Sequence, residues 1–148
     1  MCIRDRVERY IDQLKNVVNG ISEEELKKRY REGSWTVRQL VHHIADSQLQ
    51  LFSRLKLALT EENPSAPEFD QNQWVDLADS ELPIEVSIQL LEGLNKRVVA
   101  IGENVTEEQL DRQVNLVGTG ELTVGFLLAK LSWHERHHLA HIKIALSQ

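Results

Sequence analysis

The chain holds six histidines and confines them to two short windows. His42 and His43 stand side by side in "VRQLVHHIADS", while His134, His137, His138 and His141 crowd "LSWHERHHLAHIKIALSQ" at the C-terminal end. Neutral imidazole is a common ligand for divalent metals, and two histidines four apart on a helix present their nitrogens on one face. The question is which rings face the same way. An α-helix turns about 100° per residue, so with His134 at 0° His138 falls near 40°. The apolar residues Leu127, Leu128, Leu131, Leu139, Ile142, Ala145 and Leu146 fill an arc from about 20° to 140°. His134 and His138 lie in or beside that stripe, whereas His137 and His141 rotate toward solvent. In the other window His43 borders the stripe of Val37, Leu40, Ile44, Leu51, Leu55 and Ala58, next to Ser47, and His42 points well away from its centre. The candidate metal ligands are therefore His43, His134 and His138. Three neutral donors from two helices leave positions open for water or substrate, the layout of a catalytic rather than a closed structural site.

Other residues near these windows admit two readings each. Glu135 projects into the apolar arc, where a carboxylate needs a partner. It reads as a cavity-lining or paired group, with general base as its weak catalytic candidacy. Asp46, one turn from His43, could orient a ligand ring from behind, or it is a surface carboxylate. Trp35 and Trp133 flank the two ligand segments and read as packing or helix anchors. Arg38, Arg54 and Arg136 point off the apolar faces and read as solvated. The stretch "EENPSAPEFDQNQW", with Phe69 and Trp74, is a loop by its Pro, Asn and Asp content and either covers the site or joins an interface.

These side chains must be carried by helices. Val7, Tyr10, Ile11, Leu14, Val17 and Val18 predict a first helix that stops at Gly20. Ser22 and Glu25 form a capping box for a short helix in "SEEELKKRY". Thr36, with Gln39 as its reciprocal partner, caps a long helix from Val37 to about Glu62. Another long helix starts near Pro83 and runs through "IEVSIQLLEGLNKRVVAIGEN". "TEEQLDRQV" reads as a further capped short helix, "NLVGTGE" turns the chain, and Thr123 caps a last long helix. The order short helix, glycine turn, "TV", histidine-bearing helix occurs twice, which suggests two similar halves facing one another. The expectation is an all-α fold, an antiparallel four-helix bundle with short connecting helices.

Bulk properties narrow the function. At 148 residues the chain is one ordinary domain, with 41% hydrophobic and 27% charged residues. A net charge of −6 argues against nucleic-acid binding. No apolar run approaches a membrane span, no signal-peptide core is visible, and a cytoplasmic location is expected. Residues 1–6, "MCIRDR", match the translated end of a sequencing adapter, so the native text is expected to begin near Val7, with 7–148 as the domain. The one cysteine, Cys2, then falls in the artefact, and in either case it supports no disulfide framework.

The stretches "REGSWTVRQLVHHIADSQLQLFSRLKLALTEENP", "PIEVSIQLLEGLNKR" and "LLAKLSWHERHHLAHI" resemble the DinB-like superfamily and, within it, the YfiT branch. The resemblance covers nearly the whole chain from Val7. It implies an antiparallel four-helix bundle, usually a homodimer. Its metal triad is the histidine of H-[LI]-A-D followed by W-H-x-x-x-H, which falls on His43, His134 and His138. An N-terminal extension with Tyr, Pro and Gly, typical of the family, is missing here, consistent with truncation. The branch includes metal-dependent hydrolases and bacillithiol S-transferases. The implied chemistry is a divalent ion, zinc or nickel, that activates a nucleophile. The leading expectation is thiol transfer, in which a low-molecular-weight thiol such as bacillithiol attacks a small electrophile. Hydrolysis by activated water is the first alternative, and a non-catalytic metal-binding stress protein the second.

Overall fold

The computed structural model describes residues 3–148; Met1 and Cys2, with which the adapter-like stretch opens, lie outside the described residues. Helix α1 (Ile3–Val18) buries Val7, Tyr10, Ile11, Leu14 and Val18 on one face. It starts four residues before Val7, and Arg4 donates from Nε and Nη2 to the two carboxylate oxygens of Glu103 at 2.7 and 2.9 Å. Gly20 follows it with φ +67°, the left-handed conformation that ends helices. Helix α2 (Glu23–Leu26) has the Ser22–Glu25 capping box that the spacing predicts. It is shorter than the "SEEELKKRY" pattern because Arg29 turns extended and bridges Thr36. The Thr36–Gln39 box then opens α3 (Val37–Thr60).

Beyond α3 the expected loop contains structure of its own. Strand β1 (Ser65–Ala66), α4 (Gln71–Val75) and a 3₁₀ turn (Ala78–Glu81) precede α5 (Ile84–Gly102). Asp70 caps α4 by accepting from the Asn72 and Gln73 amides. The helix expected over "TEEQLDRQV" is corrected to a 3₁₀ turn (Gln109–Asp111). Thr106 and Gln109 do make the reciprocal cap, but from Gln113 the chain turns into strand β2 (Gln113–Leu116). Val114 and Leu116 point inward there while Gln113 and Asn115 face solvent. Strand β3 (Gly120–Thr123) returns antiparallel to β2, and β1 adds in parallel on the other edge. The hairpin places Gly118 and Gly120 at φ +89° and +121°, which side chains resist. Thr123 caps the last helix, α6 (Val124–Leu146), through the Phe126 amide. The protein is thus mostly helical, with a small sheet beside the bundle.

Side-chain contacts fix the helix directions. Arg4 meets Glu103 and Lys15 meets Glu92, so α1 and α5 are antiparallel. His43 meets His134 and His138, while Arg54 shares a cavity with Phe126, so α3 and α6 are antiparallel too. His42 meets Ser87 and Gln48 meets Asn95, so α3 and α5 run the same way. Two parallel helices in sequence need a return crossover. Residues 61–83 provide it, and the crossover passes along the groove between α3 and α6.

Two apolar clusters fill the bundle. One centres on Tyr10, Leu14, Leu40, Ile44, Leu91 and Ile142, the other on Val7, Leu55, Val98, Leu127 and Leu131. Each fully buried side chain of this size contributes roughly 1.5–3 kcal/mol. Arg112 joins sheet to bundle, donating to the carbonyls of Ala58 and Glu61 at 2.7 and 2.9 Å at the end of α3. Among the described residues no helix is long and apolar enough to cross a membrane.

Candidate metal centre

The antiparallel crossing of α3 and α6 brings His43, His134 and His138 together. Their ring centroids lie 5.2 Å (His43–His134), 4.8 Å (His43–His138) and 4.4 Å (His134–His138) apart. One nitrogen from each ring lies within 4.8 Å of the others. His134 Nε2 and His138 Nε2 face one another at 3.1 Å. Two imidazole lone pairs at that separation repel unless a cation or proton lies between them. Tetrahedral zinc with bonds of 2.0–2.1 Å sets its nitrogens about 3.3 Å apart, so the donor set fits a divalent ion with a small inward adjustment of His43.

Protonation states agree with that fit. Burial, reinforced by the neighbouring rings, holds His43, His134 and His138 down to about 3. All three are neutral at ordinary pH and offer lone pairs. Two of the three rings have partners that orient them, whereas His134 Nδ1 is buried without a hydrogen-bond partner among the described residues. With Nε2 of His138 facing the cradle, its Nδ1–H donates to His141 Nδ1 at 3.2 Å. His141 in turn stacks on Tyr30, centroids 4.0 Å apart and planes 6° from parallel. Ser47 Oγ lies 3.3 Å from His43 Nε2, and Trp35 packs on the His43 ring at 4.4 Å. His141 therefore has a positioning partner in His138 that the outward reading did not give it; the signal was its spacing of three from His138.

Several side chains sit elsewhere than the helical wheel placed them. His42 is buried, only 5% exposed. Ser87 Oγ–H donates to its Nδ1 at 2.6 Å, and its Nε2–H donates to the Leu82 carbonyl at 2.8 Å. Both nitrogens are occupied, because α5 and the crossover cover the side of α3 that a two-helix view leaves open. Arg54 is likewise buried rather than solvated, 8% exposed, for the same reason. Arg38 is tied to Glu23 and to the carbonyls of Glu81 and Leu82, whereas Arg136 is exposed. Trp133 is 47% exposed, so it is no core anchor; it stacks on His137. Glu135 is fully buried and accepts from Asn95 Nδ2 at 2.8 Å, outside the converging group. Asp46 makes no hydrogen bond to His43 among the described residues. Burial and then Asp79 push its carboxyl up to about 6.

The cradle opens to two cavities. A larger one of about 600 Å³ reaches His134 and Ser47, and the crossover residues Glu68, Phe69, Asp70 and Gln71 form one wall. A second of about 440 Å³ touches His138, His141, Tyr30 and Trp35. Gln71 lines both. The crossover required by the parallel α3–α5 arrangement is thus also the cover of the site.

Comparison with known proteins agrees with this architecture. The family model of the DinB superfamily matches residues 6–142. A protein of Oceanobacillus iheyensis, provisionally named a metal-dependent hydrolase, is 56% identical over 142 residues, covering 96% of this chain and 82% of that protein. A second protein of that organism with the same provisional name is 42% identical over 129 residues, covering 87% of this chain and 75% of that protein. Among solved structures, YfiT from Bacillus subtilis, described as a probable metal-dependent hydrolase with an unusual four-helix bundle topology, superposes with a TM-score of 0.90 at 36% identity, covering 95% of this chain and 82% of that one. The chain belongs to the DinB superfamily.

Proposed function

We propose that the protein is a metal-dependent hydrolase in which His43, His134 and His138 hold one divalent ion. The observation that carries this reading is the convergence of three neutral imidazoles at a cradle whose His134 faces a cavity walled by the crossover. Zinc or nickel suits an all-imidazole set. When bound, such an ion supplies Lewis acidity that brings the ionisation of water, or of a thiol, toward neutral pH. The chain's own residues do the rest. His141 and Ser47 hold the ring orientations, Trp35 shields His43, and the crossover limits water entry over His134. Three neutral ligands add no negative charge, so an ion held there would keep its own charge and would favour an anionic nucleophile. Glu135 serves the core rather than the reaction, since it is fully buried outside the converging group, with Oε2 held by Asn95.

The names of the curated relatives favour hydrolysis over thiol transfer, reversing the order read from the sequence. Thiol transfer from a bacillithiol-type molecule to a small electrophile is the second reading. It is favoured by the placement of the cradle between two cavities, which suits a reaction of two substrates. The test loads the full chain with zinc or nickel and assays a panel of chromogenic esters and amides with and without thiol. Thiol-independent hydrolysis lost in His134→Ala supports the hydrolase. Turnover that requires thiol supports the second reading, and tight metal binding without turnover across both panels leaves a metal-binding protein that is not an enzyme.

A further inference from the structure

The larger cavity has two ends. His134 and Ser47 stand at one, and Arg54 stands near the other. His43, Ser47, Leu51 and Arg54 recur at helical spacing along one face of α3. On α6, Phe126, Lys130 and His134 do the same in the opposite direction. About 16 Å of helix rise separates His43 from Arg54. Between the ends the wall carries the apolar side chains of Leu51, Leu116, Leu122 and Phe126, together with Lys130, a half-buried second cation one turn from His134.

Arg54 is out of place on such a wall unless it has a partner. A guanidinium stays charged in a protein, and a buried charge without a counterion is costly. Arg54 is 8% exposed, its Nη2 donates to the Pro67 carbonyl at 3.2 Å, and its Nε is buried without a hydrogen-bond partner among the described residues. Glu68 is the nearby acid, but it accepts from Thr119 Oγ1 at 2.7 Å and makes no ion pair with Arg54. Asp70, on the same wall, is engaged in capping α4.

We propose that Arg54 binds the carboxylate of an elongated, otherwise apolar substrate whose reacting end lies at the histidine cradle. This assigns a substrate class to the site and rests on the metal-dependent reading for the reacting end alone. A carboxylate matches the planar guanidinium fork, and a single buried cation suits a monoanion better than a phosphate dianion. Leu51, Leu122 and Phe126 hold the chain between the two ends.

The probes are octanoate and its uncharged counterpart octanamide, titrated calorimetrically at low salt into the full chain equilibrated with zinc. The wild type is expected to bind octanoate at least about tenfold more tightly than octanamide. Arg54→Gln should bring the two within about twofold, by weakening octanoate alone. Glu68→Gln changes an exposed residue and keeps the fold; it should tighten octanoate about threefold by removing the negative charge nearest Arg54. Equal binding of the two probes by the wild type overturns the proposal. So does an octanoate preference that survives Arg54→Gln, or octanoate binding unaltered by Glu68→Gln. Should Arg54→Gln fail to fold, the wild-type and Glu68→Gln titrations still decide. Zinc content measured on the same samples reads the metal centre separately. An Arg54-dependent preference in protein that binds no zinc would keep the anion site and refute the metal.

Discussion

His134 and Glu135 are adjacent in the chain and belong to opposite kinds of polar cluster. His134 joins His43 and His138 beside a cavity, where the facing Nε2 atoms of His134 and His138 are not matched by donors. Glu135 joins Asn95, Gln48 and Tyr10 in the sealed interior. There Gln48 Nε2 donates to Asn95 Oδ1 at 2.8 Å and Asn95 Nδ2 donates to Glu135 Oε2 at 2.8 Å, while Tyr10 Oη, Gln48 Oε1 and Glu135 Oε1 have no hydrogen-bond partner among the described residues. Burial pushes the Glu135 carboxyl well above its ordinary value, more than these two amides pull it down. Tyr10, beside it, is raised as well by burial and then by Glu135. One residue of helix, about 100° of rotation, separates a cluster that can take a ligand from one that ties helices together. Burial and polarity are common to both. What distinguishes them is access: the three imidazoles converge beside a cavity, whereas the Glu135 cluster is sealed from it.

That contrast can be broken from either side. The largest expected effect is on the open cluster: His43→Ala should weaken zinc binding more than about 100-fold by competition with a chelator, since losing a ligand exceeds the loss of an outer partner. Thermal stability of the metal-free protein should report whether the bundle is intact. On the closed cluster, Glu135→Ala should cost about 2–4 kcal/mol in denaturant unfolding while leaving zinc stoichiometry unchanged, because it opens a cavity and strands the Asn95 amide. Glu135→Gln keeps the shape and should stay within about 1 kcal/mol of the wild type near pH 4, below the unfolded carboxyl value, and be the more stable of the two at pH 7. The sign of its pH dependence follows from the raised carboxyl. Wild-type stability from Glu135 is full below the unfolded value of 4.5 and is lost as pH rises through the higher folded value, a loss absent in the glutamine variant.

Much of this arrangement is legible in the sequence because it is local. The caps at Ser22, Thr36 and Thr123 and the helical spacing around His43, His134 and His138 involve residues within one or two turns. His42 and Arg54 are not legible in that way. A helical wheel knows one apolar stripe, but α3 is covered on several sides by α5, α6 and the crossover, and those neighbours come from distant sequence. The strands escape for a related reason. β1 has two residues and finds its partner, Asn115 and Leu116, some fifty residues later. The parallel run of α3 and α5 is set by packing between distant segments and has no local signal in the sequence.

Two smaller effects sharpen the boundary between the clusters. His141→Ala should weaken zinc about tenfold without altering stoichiometry, since it orients His138 and does not face the cradle. Asp46→Asn should alter neither zinc nor turnover. Its carboxyl, raised from 3.8 to about 6, favours the fold below the unfolded value and loses that contribution as pH rises through about 6. The asparagine variant should flatten that slope by less than about 1 kcal/mol, because the group is half-exposed.

The central claim is that three imidazoles from two helices, and no carboxylate, bind one ion. X-ray absorption of the zinc-loaded full chain tests it most directly. The account predicts one zinc per chain with three imidazole nitrogens at about 2.0–2.1 Å, falling to at most two in whatever zinc His43→Ala retains. A shell dominated by carboxylate oxygens, or a spectrum and stoichiometry identical in wild type and His43→Ala, would contradict it.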